Sequence, residues 1–331
     1  MPRTSRPRLF AFESGHRRPR QWPRVSVFAL LTVTAAATAL VVGGFLAWRV
    51  WPLTDTSAGV IPQPPPGAPS TSHTHSGAGA LPPLWDTAAS HRKLPVHASA
   101  ALVVDAATGK VLWELHPHEK LPIASLTKMM TALIASYAKH PTRPFPVTRA
   151  MLGVPGYTVG LRAGQQVTVR GLLAAALVAS GNDAANALAV HRAGSVHAFV
   201  KLMNRWARKF GLGDTLYSNP SGIYDAGNHS SAWDMADLAR RFMQRAGLRA
   251  IVSKRLYATG QTTGYVSRNR LLWTYRGADG IKTGSTTAAG NCLAAAASRH
   301  GRTLIAVELH ARGDQFASAA RLLSFGFRHG G

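Results

Sequence analysis

The chain has 331 residues, of which 38 are Lys or Arg and 14 are Asp or Glu, giving a formal net charge of +24 at pH 7. That balance excludes an acidic protein, and 46% hydrophobic against 16% charged residues excludes wholesale disorder, so a folded core must exist. A single cysteine, Cys292, excludes an intramolecular disulfide and a Cys-rich zinc site.

Three unlike segments precede or form the bulk of the chain. Residues 1–24 carry seven arginines and one acid, Glu13, among prolines that discourage a helix, and read as a basic tail. Residues 25–47 are uncharged, long enough at about 1.5 Å per residue to cross a hydrocarbon core of roughly 30 Å. Trp48, Arg49 and Trp51 mark an interface after them. A cleaved signal peptide would have an apolar core of roughly 7 to 15 residues and a small-x-small cleavage site, so an uncleaved transmembrane signal anchor is the better reading. The positive-inside rule keeps the tail in the cytoplasm and exports the rest, predicting a single-pass protein of the cell membrane whose main domain lies on the extracytoplasmic face.

Residues 48–93 are rich in Pro, Gly, Ala, Ser and Thr and read as a spacer, in which His73 and His75 are solvated rather than a metal site. Residues 94–331 have the size of one catalytic domain and hold 28 basic and 11 acidic residues, a net of +17. Such a surface suits an anionic partner. For an exported domain, cell-wall polymers and lipid headgroups are the expected counter-charges rather than nucleic acid, for which no reading motif stands out.

In the exported domain, apolar runs at 98–105 and 110–115 flank Ala106-Ala107-Thr108-Gly109 and predict a hairpin. Helices are predicted over 124–137, 171–179, 183–193, 196–210 and 231–246. Strands follow at 280–284, 291–298 and 303–310, then a closing helix from about 315 to 325. Strands at both ends with helices between them predict an α+β fold. One antiparallel sheet, drawn from both ends of the chain, is flanked by a mostly helical region.

Three short motifs can carry chemistry. In Ala124-Ser125-Leu126-Thr127-Lys128, positions i and i+3 of a helix share a face, so the Lys128 amine can reach the Ser125 hydroxyl. A serine becomes a strong nucleophile only if a base removes its proton, and a lysine serves as base only if burial or a neighbouring cation lowers its pKa. Ser180-Gly181-Asn182 falls between two alanine-rich helices. Lys282-Thr283-Gly284 lies on a predicted strand, where Lys282 and Gly284 face one way and Thr283 the other. Singly, these are a capping serine, an interhelical turn and an edge-strand lysine. Together and in order, each on the expected element, they resemble the motif set of penicillin-binding proteins and class A β-lactamases.

The resemblance extends over roughly residues 95–328. It includes Val103 to Leu112, Pro122 to Leu133, Ser180 to Ala185, Ser218-Asn219-Pro220-Ser221-Gly222 and Asp279 to Gly284. These stretches resemble the D-alanyl-D-alanine carboxypeptidases, the low-molecular-weight penicillin-binding proteins of peptidase family S11. The resemblance implies a five-stranded antiparallel sheet with flanking helices and a helical subdomain, of β-lactamase/transpeptidase type. It also implies an enzyme that trims the terminal D-alanine from peptidoglycan stem pentapeptides, is acylated by β-lactams, and needs no cofactor or metal. On this resemblance Ser125 is the nucleophile, Lys128 its base and Ser180 a proton relay. Asn182 holds the peptide amide, Lys282, Thr283 and Gly284 bind at the substrate carboxylate, and the backbone N–H groups of Ser125 and Ser285 form the oxyanion site. Ser285 and Ser221 stand where many relatives carry histidine, and Gln315 stands where many carry arginine.

Competing readings are separable. A class A β-lactamase needs a glutamate between the second and third motifs, and none lies between Ser180 and Lys282. A DD-endopeptidase of cross-links differs only in the bond cut, and a catalytically weak wall-binding scaffold would not need Ser125, Lys128, Ser180, Asn182, Lys282 and Thr283 all retained. Cys292 reads as a small core residue on a strand.

Overall fold

The computed structural model describes residues 81–85, 93–223, 227–258 and 264–329. The expected basic tail, the expected membrane span and most of the spacer lie outside these residues. Among the described residues, no helix is long and apolar enough to cross a membrane.

Five strands form one antiparallel sheet: β1 (Ala100–Asp105), β2 (Val111–Leu115), β3 (Ala278–Thr286), β4 (Gly290–Arg299) and β5 (Arg302–Ala311), in the order β2-β1-β5-β4-β3. As expected, the centre joins the two ends of the chain, with Ala100 opposite Leu309 and Asp105 opposite Leu304. Among the described residues, the α-helices longer than one turn are α1 (Lys128–Ala135), α2 (Val169–Ala174), α3 (Asn182–Ala193), α4 (Val196–Phe210), α5 (Ala232–Met243), α6 (Ala246–Val252) and α7 (Gln315–His329).

The central strands show no polar alternation because both sheet faces are covered. Leu102, Val104, Ile305 and Val307 pack into one core with Met129, Met130 and Leu133 of α1 and Leu238 and Phe242 of α5. Ala101, Val103, Leu304 and Ala306 pack into a second with Leu322, Leu323 and Phe325 of α7. Four alanines in a row, Ala294–Ala297 on β4, keep both layers close to the sheet.

Several boundaries differ from the sequence reading for local reasons. The predicted 124–137 helix opens with a 3-10 turn, Ala124–Thr127, and only then becomes α1. The predicted 171–179 helix ends as a π-helical stretch, Ala175–Ala179, that stops at Ser180 in the left-handed region. The predicted 231–246 helix is α5, which ends early at Met243, and α6, which starts at Ala246 and runs to Val252, was not predicted. The two-residue strand pairs, such as Leu121–Pro122 with His229–Ser230, are too short to show a period. Leu81–Trp85, which composition places in the spacer, runs along the domain: Trp85 N donates to Gly109 O and Val111 N donates to Trp85 O.

Glu308 on β5 is the anomaly of the core. It lies opposite Ala101 and Leu293, under α7, is fully buried, and neither carboxylate oxygen has a hydrogen-bond partner. Burial, only partly offset by Ser318 and Arg321, pushes its pKa up to about 8. An acid whose pKa is raised on folding favours the fold at low pH and costs stability as pH climbs from its unfolded value to its folded one. The protein is therefore expected to lose roughly 2–4 kcal/mol of unfolding free energy between about pH 5 and pH 8 from this group. Glu308→Gln should flatten that loss, measured by urea unfolding at both pH values.

Candidate active site

The site begins with a constrained turn. Ala124 has φ 46°, a region that non-glycine residues rarely occupy, and it places Ser125 at the start of the 3-10 turn. Thr127 Oγ1 donates to Ala124 O at 2.8 Å. Two glycines clamp the turn from outside. A Cβ at Gly222 (φ +78°) would collide with the Ala124 carbonyl, and one at Gly284 on β3 would sit 2.9 Å from Ser125 N. Gly284 thus lets the edge strand lie directly on the nucleophile turn.

One helical step later comes Lys128, fully buried. Its Nζ lies 2.8 Å from each of three oxygens: Ser125 Oγ, Asn182 Oδ1 and the Ser221 carbonyl. Burial, then the positive charges of Lys282 and Arg268, hold its pKa well below the ordinary lysine range, against an opposing pull from Asp183. The last two oxygens can only accept, so a neutral amine donates its two hydrogens to them and turns its lone pair to the Ser125 hydroxyl. Thr131 of α1 donates to Pro220 O at 2.7 Å, and Asn219 Oδ1 accepts from Ser221 N and Gly222 N, which fixes the loop that presents the Ser221 carbonyl.

Ser180 ends the π-helical stretch at φ 68°, and α3 begins at Asn182 two residues on. The Asn182 side chain donates to Pro155 O at 2.8 Å while accepting from Lys128, which leaves one amide hydrogen and one lone pair for a substrate. Asp183 accepts from Val159 N and Leu161 N, both at 3.0 Å, and Asn182 N donates to Tyr157 O, so this motif also ties down the loop carrying Tyr157.

From β3, Lys282 reaches inward. It is 1% exposed, and its Nζ donates to Ser180 Oγ at 2.9 Å and to Thr283 O at 2.7 Å. Burial, then Arg268, pushes its pKa down to about 7. Thr283, Gly284 and Ser285 line a cavity of about 330 Å³ together with Ser125, Ser180 and Asn182. All eight residues singled out in the sequence therefore meet, but Lys128 and Lys282 stand behind the cavity wall rather than in it.

Sequence reasoning missed Arg268, which lies in the same cavity with its guanidinium carbon 4.1 Å from the centre of the Tyr157 ring. One arginine among 38 basic residues gives no local signal. Gln315 lines the cavity beside Phe316. Asp183 and the Ser221 carbonyl were also missed, although both fall inside stretches the resemblance had marked.

Chemically the site offers a hydroxyl against an amine whose charged form burial disfavours, a second hydroxyl against a second amine, and a cation at the rim of a cavity sized for a short peptide end. Residues 86–313 match the family profile of peptidase S11, D-alanyl-D-alanine carboxypeptidase. The D-alanyl-D-alanine carboxypeptidase DacC of Escherichia coli (strain K12) is 36% identical over 247 residues, covering 70% of this chain and 62% of DacC. The corresponding DacF of Bacillus subtilis (strain 168) is 32% identical over 246 residues, covering 71% of this chain and 63% of DacF. The chain thus spans less than two thirds of the length of these relatives. The crystal structure of penicillin binding protein 6B from Escherichia coli superposes with a TM-score of 0.67 at 32% identity, covering 72% of this chain and 79% of that one. The fold, the ordered motifs and these likenesses agree that the chain belongs to the D-alanyl-D-alanine carboxypeptidase family of S11 peptidases.

Proposed function

We propose that the chain is a serine-type D-Ala-D-Ala carboxypeptidase of peptidoglycan stem pentapeptides, working through an acyl-enzyme on Ser125. The observation that carries this reading is the buried Lys128 amine 2.8 Å from Ser125 Oγ, with its other two contacts made to acceptors alone. Ser125 Oγ attacks the penultimate D-alanine carbonyl as its proton passes to Lys128. The oxyanion that forms faces the backbone N–H groups of Ser125 and Ser285. The C–N bond then breaks, and the leaving D-alanine amine takes a proton from Ser180, which is resupplied by the Lys282 ammonium bonded to it. Water cleaves the ester and releases the shortened peptide.

Substrate is held by the spare amide hydrogen of Asn182 on the peptide and by Thr283 on the terminal carboxylate. Arg268 supplies the rim cation there, a task for which Gln315 has no charge. β-Lactams acylate the same serine. The uncharged 25–47 segment supports a single-pass anchor that holds the domain on the extracytoplasmic face.

Incubation with a pentapeptide ending in D-Ala-D-Ala should release one D-alanine, seen by mass spectrometry as loss of a single residue. Cleavage of cross-linked dimers without that release would instead indicate an endopeptidase. Ser125→Ala should abolish labelling by a fluorescent penicillin.

Arg268→Gln removes a cation that depresses both lysines, so their pKa values rise and the amine is neutral only at higher pH. The acidic limb of the acylation profile should therefore move to higher pH. Loss of the carboxylate contact should also lower kcat/KM for peptide by about ten- to hundredfold. An unmoved limb with unchanged kcat/KM would remove Arg268 from the site.

A further inference from the structure

The C-terminal end of α1, opposite the end next to Ser125, meets the last turns of α4 and α5. Tyr137, just past α1, packs on Trp206 of α4 with ring centroids 5.2 Å apart, and Trp206 packs edge-on against Phe210 at 5.2 Å. Each ring carries a cation. Arg245 lies 4.3 Å over Tyr137, Lys209 5.5 Å over Trp206 and Arg241 4.5 Å over Phe210. Tyr137 is 47% exposed. Among the described residues, the carboxylate ion-paired to this ladder is Asp237, on Arg241, so most of its charge is uncompensated.

Cations in the last turn of a helix complement the helix dipole, which accounts for Lys209 and Arg241. It does not account for a row of partly exposed aromatic rings beneath them. Amphipathic rings topped by long cationic side chains are the composition of a membrane interface, where rings sit at headgroup depth and the cations reach lipid phosphates.

The path of the chain favours a bilayer over a soluble polymer as the occupant. Arg240, the chain neighbour of Arg241 on α5, donates to Pro82 O at 2.9 Å and to Ala106 O at 3.0 Å, so the segment that follows the expected anchor is tied to the helix that contributes Arg241. Ser125 begins the same helical run that ends at Tyr137, about 18 Å away. A bilayer against the ladder leaves the cleft facing outward.

We propose that the aromatic-cation ladder of Tyr137, Trp206, Phe210, Lys209, Arg241 and Arg245 docks the domain on anionic lipid headgroups and so orients the catalytic cleft away from the membrane. This rests on the proposed anchor at residues 25–47.

The full chain, reconstituted into vesicles of phosphatidylcholine alone or with roughly one third phosphatidylglycerol, tests it by hydrogen–deuterium exchange. Residues 137–145, 206–210 and 241–249 should be protected in the anionic vesicles only, and less so in about 0.5 M salt. Lys209→Glu with Arg245→Glu should lower the docked-to-free ratio at least 25-fold, on a scale of about fivefold per cation, with soluble peptide turnover unchanged. The milder Lys209→Gln and Arg245→Gln should each lower it about fivefold, which covers any misfolding of the reversed variant. Equal exchange in both lipids, or protection kept in every variant, would overturn the proposal. So would protection by soluble polyphosphate equal to that by vesicles. Extraction by alkaline carbonate would show the anchor reading to be wrong while leaving the lipid comparison to decide the docking face.

Discussion

The site depends on the desolvation of two lysines. An ammonium ion stripped of water is costly unless paired with an anion, and among the described residues neither Lys128 nor Lys282 is hydrogen-bonded to a carboxylate. Their contacts are hydroxyls, an amide and backbone carbonyls, which suit a neutral amine as well as a charged one. The Lys282 charge also makes Lys128 harder to protonate, and Arg268 disfavours the charge on both. The result is a Lys128 amine that gives up its proton more readily than a solvated lysine.

The fold makes that burial possible. The sheet lends its edge strand to the site, so Lys282 approaches from one side, while α1 and the turn before α3 bring Lys128 and Ser180 from the other. Gly284 permits the contact between these layers, and the left-handed residues Ala124 and Ser180 aim the two hydroxyls. Such strained positions persist only when their surroundings fix them, as Thr127 and Gly222 do for Ala124. Packing of the sheet between α7 and the α1–α5 layer supplies that rigidity.

Much of this was legible in the sequence. The apolar strands, the 196–210 helix and the three motifs each carry a local signal, and all were found. What was not legible depends on distant parts of the chain meeting. The direction of Lys282 toward Ser180 is set by a partner 102 residues away. Arg268 looks like any surface arginine until the Tyr157 loop folds beside it. The stop of α5 at Met243 leaves no breaker in the sequence, since neither proline nor glycine stands at Gln244 or Arg245, and the short α6 carries Gly247 in its first turn, which argues against a helix there.

The most direct test is the protonation state of Lys128 itself, read from the ¹⁵N chemical shift of its Nζ during a pH titration of the free protein, with assignment by Lys128→Met. A neutral amine that titrates well below the ordinary lysine pKa of about 10.4 would establish a resident base beside Ser125. An ammonium that persists into the ordinary lysine range would contradict it, and with it the proton transfer on which nucleophilic attack depends.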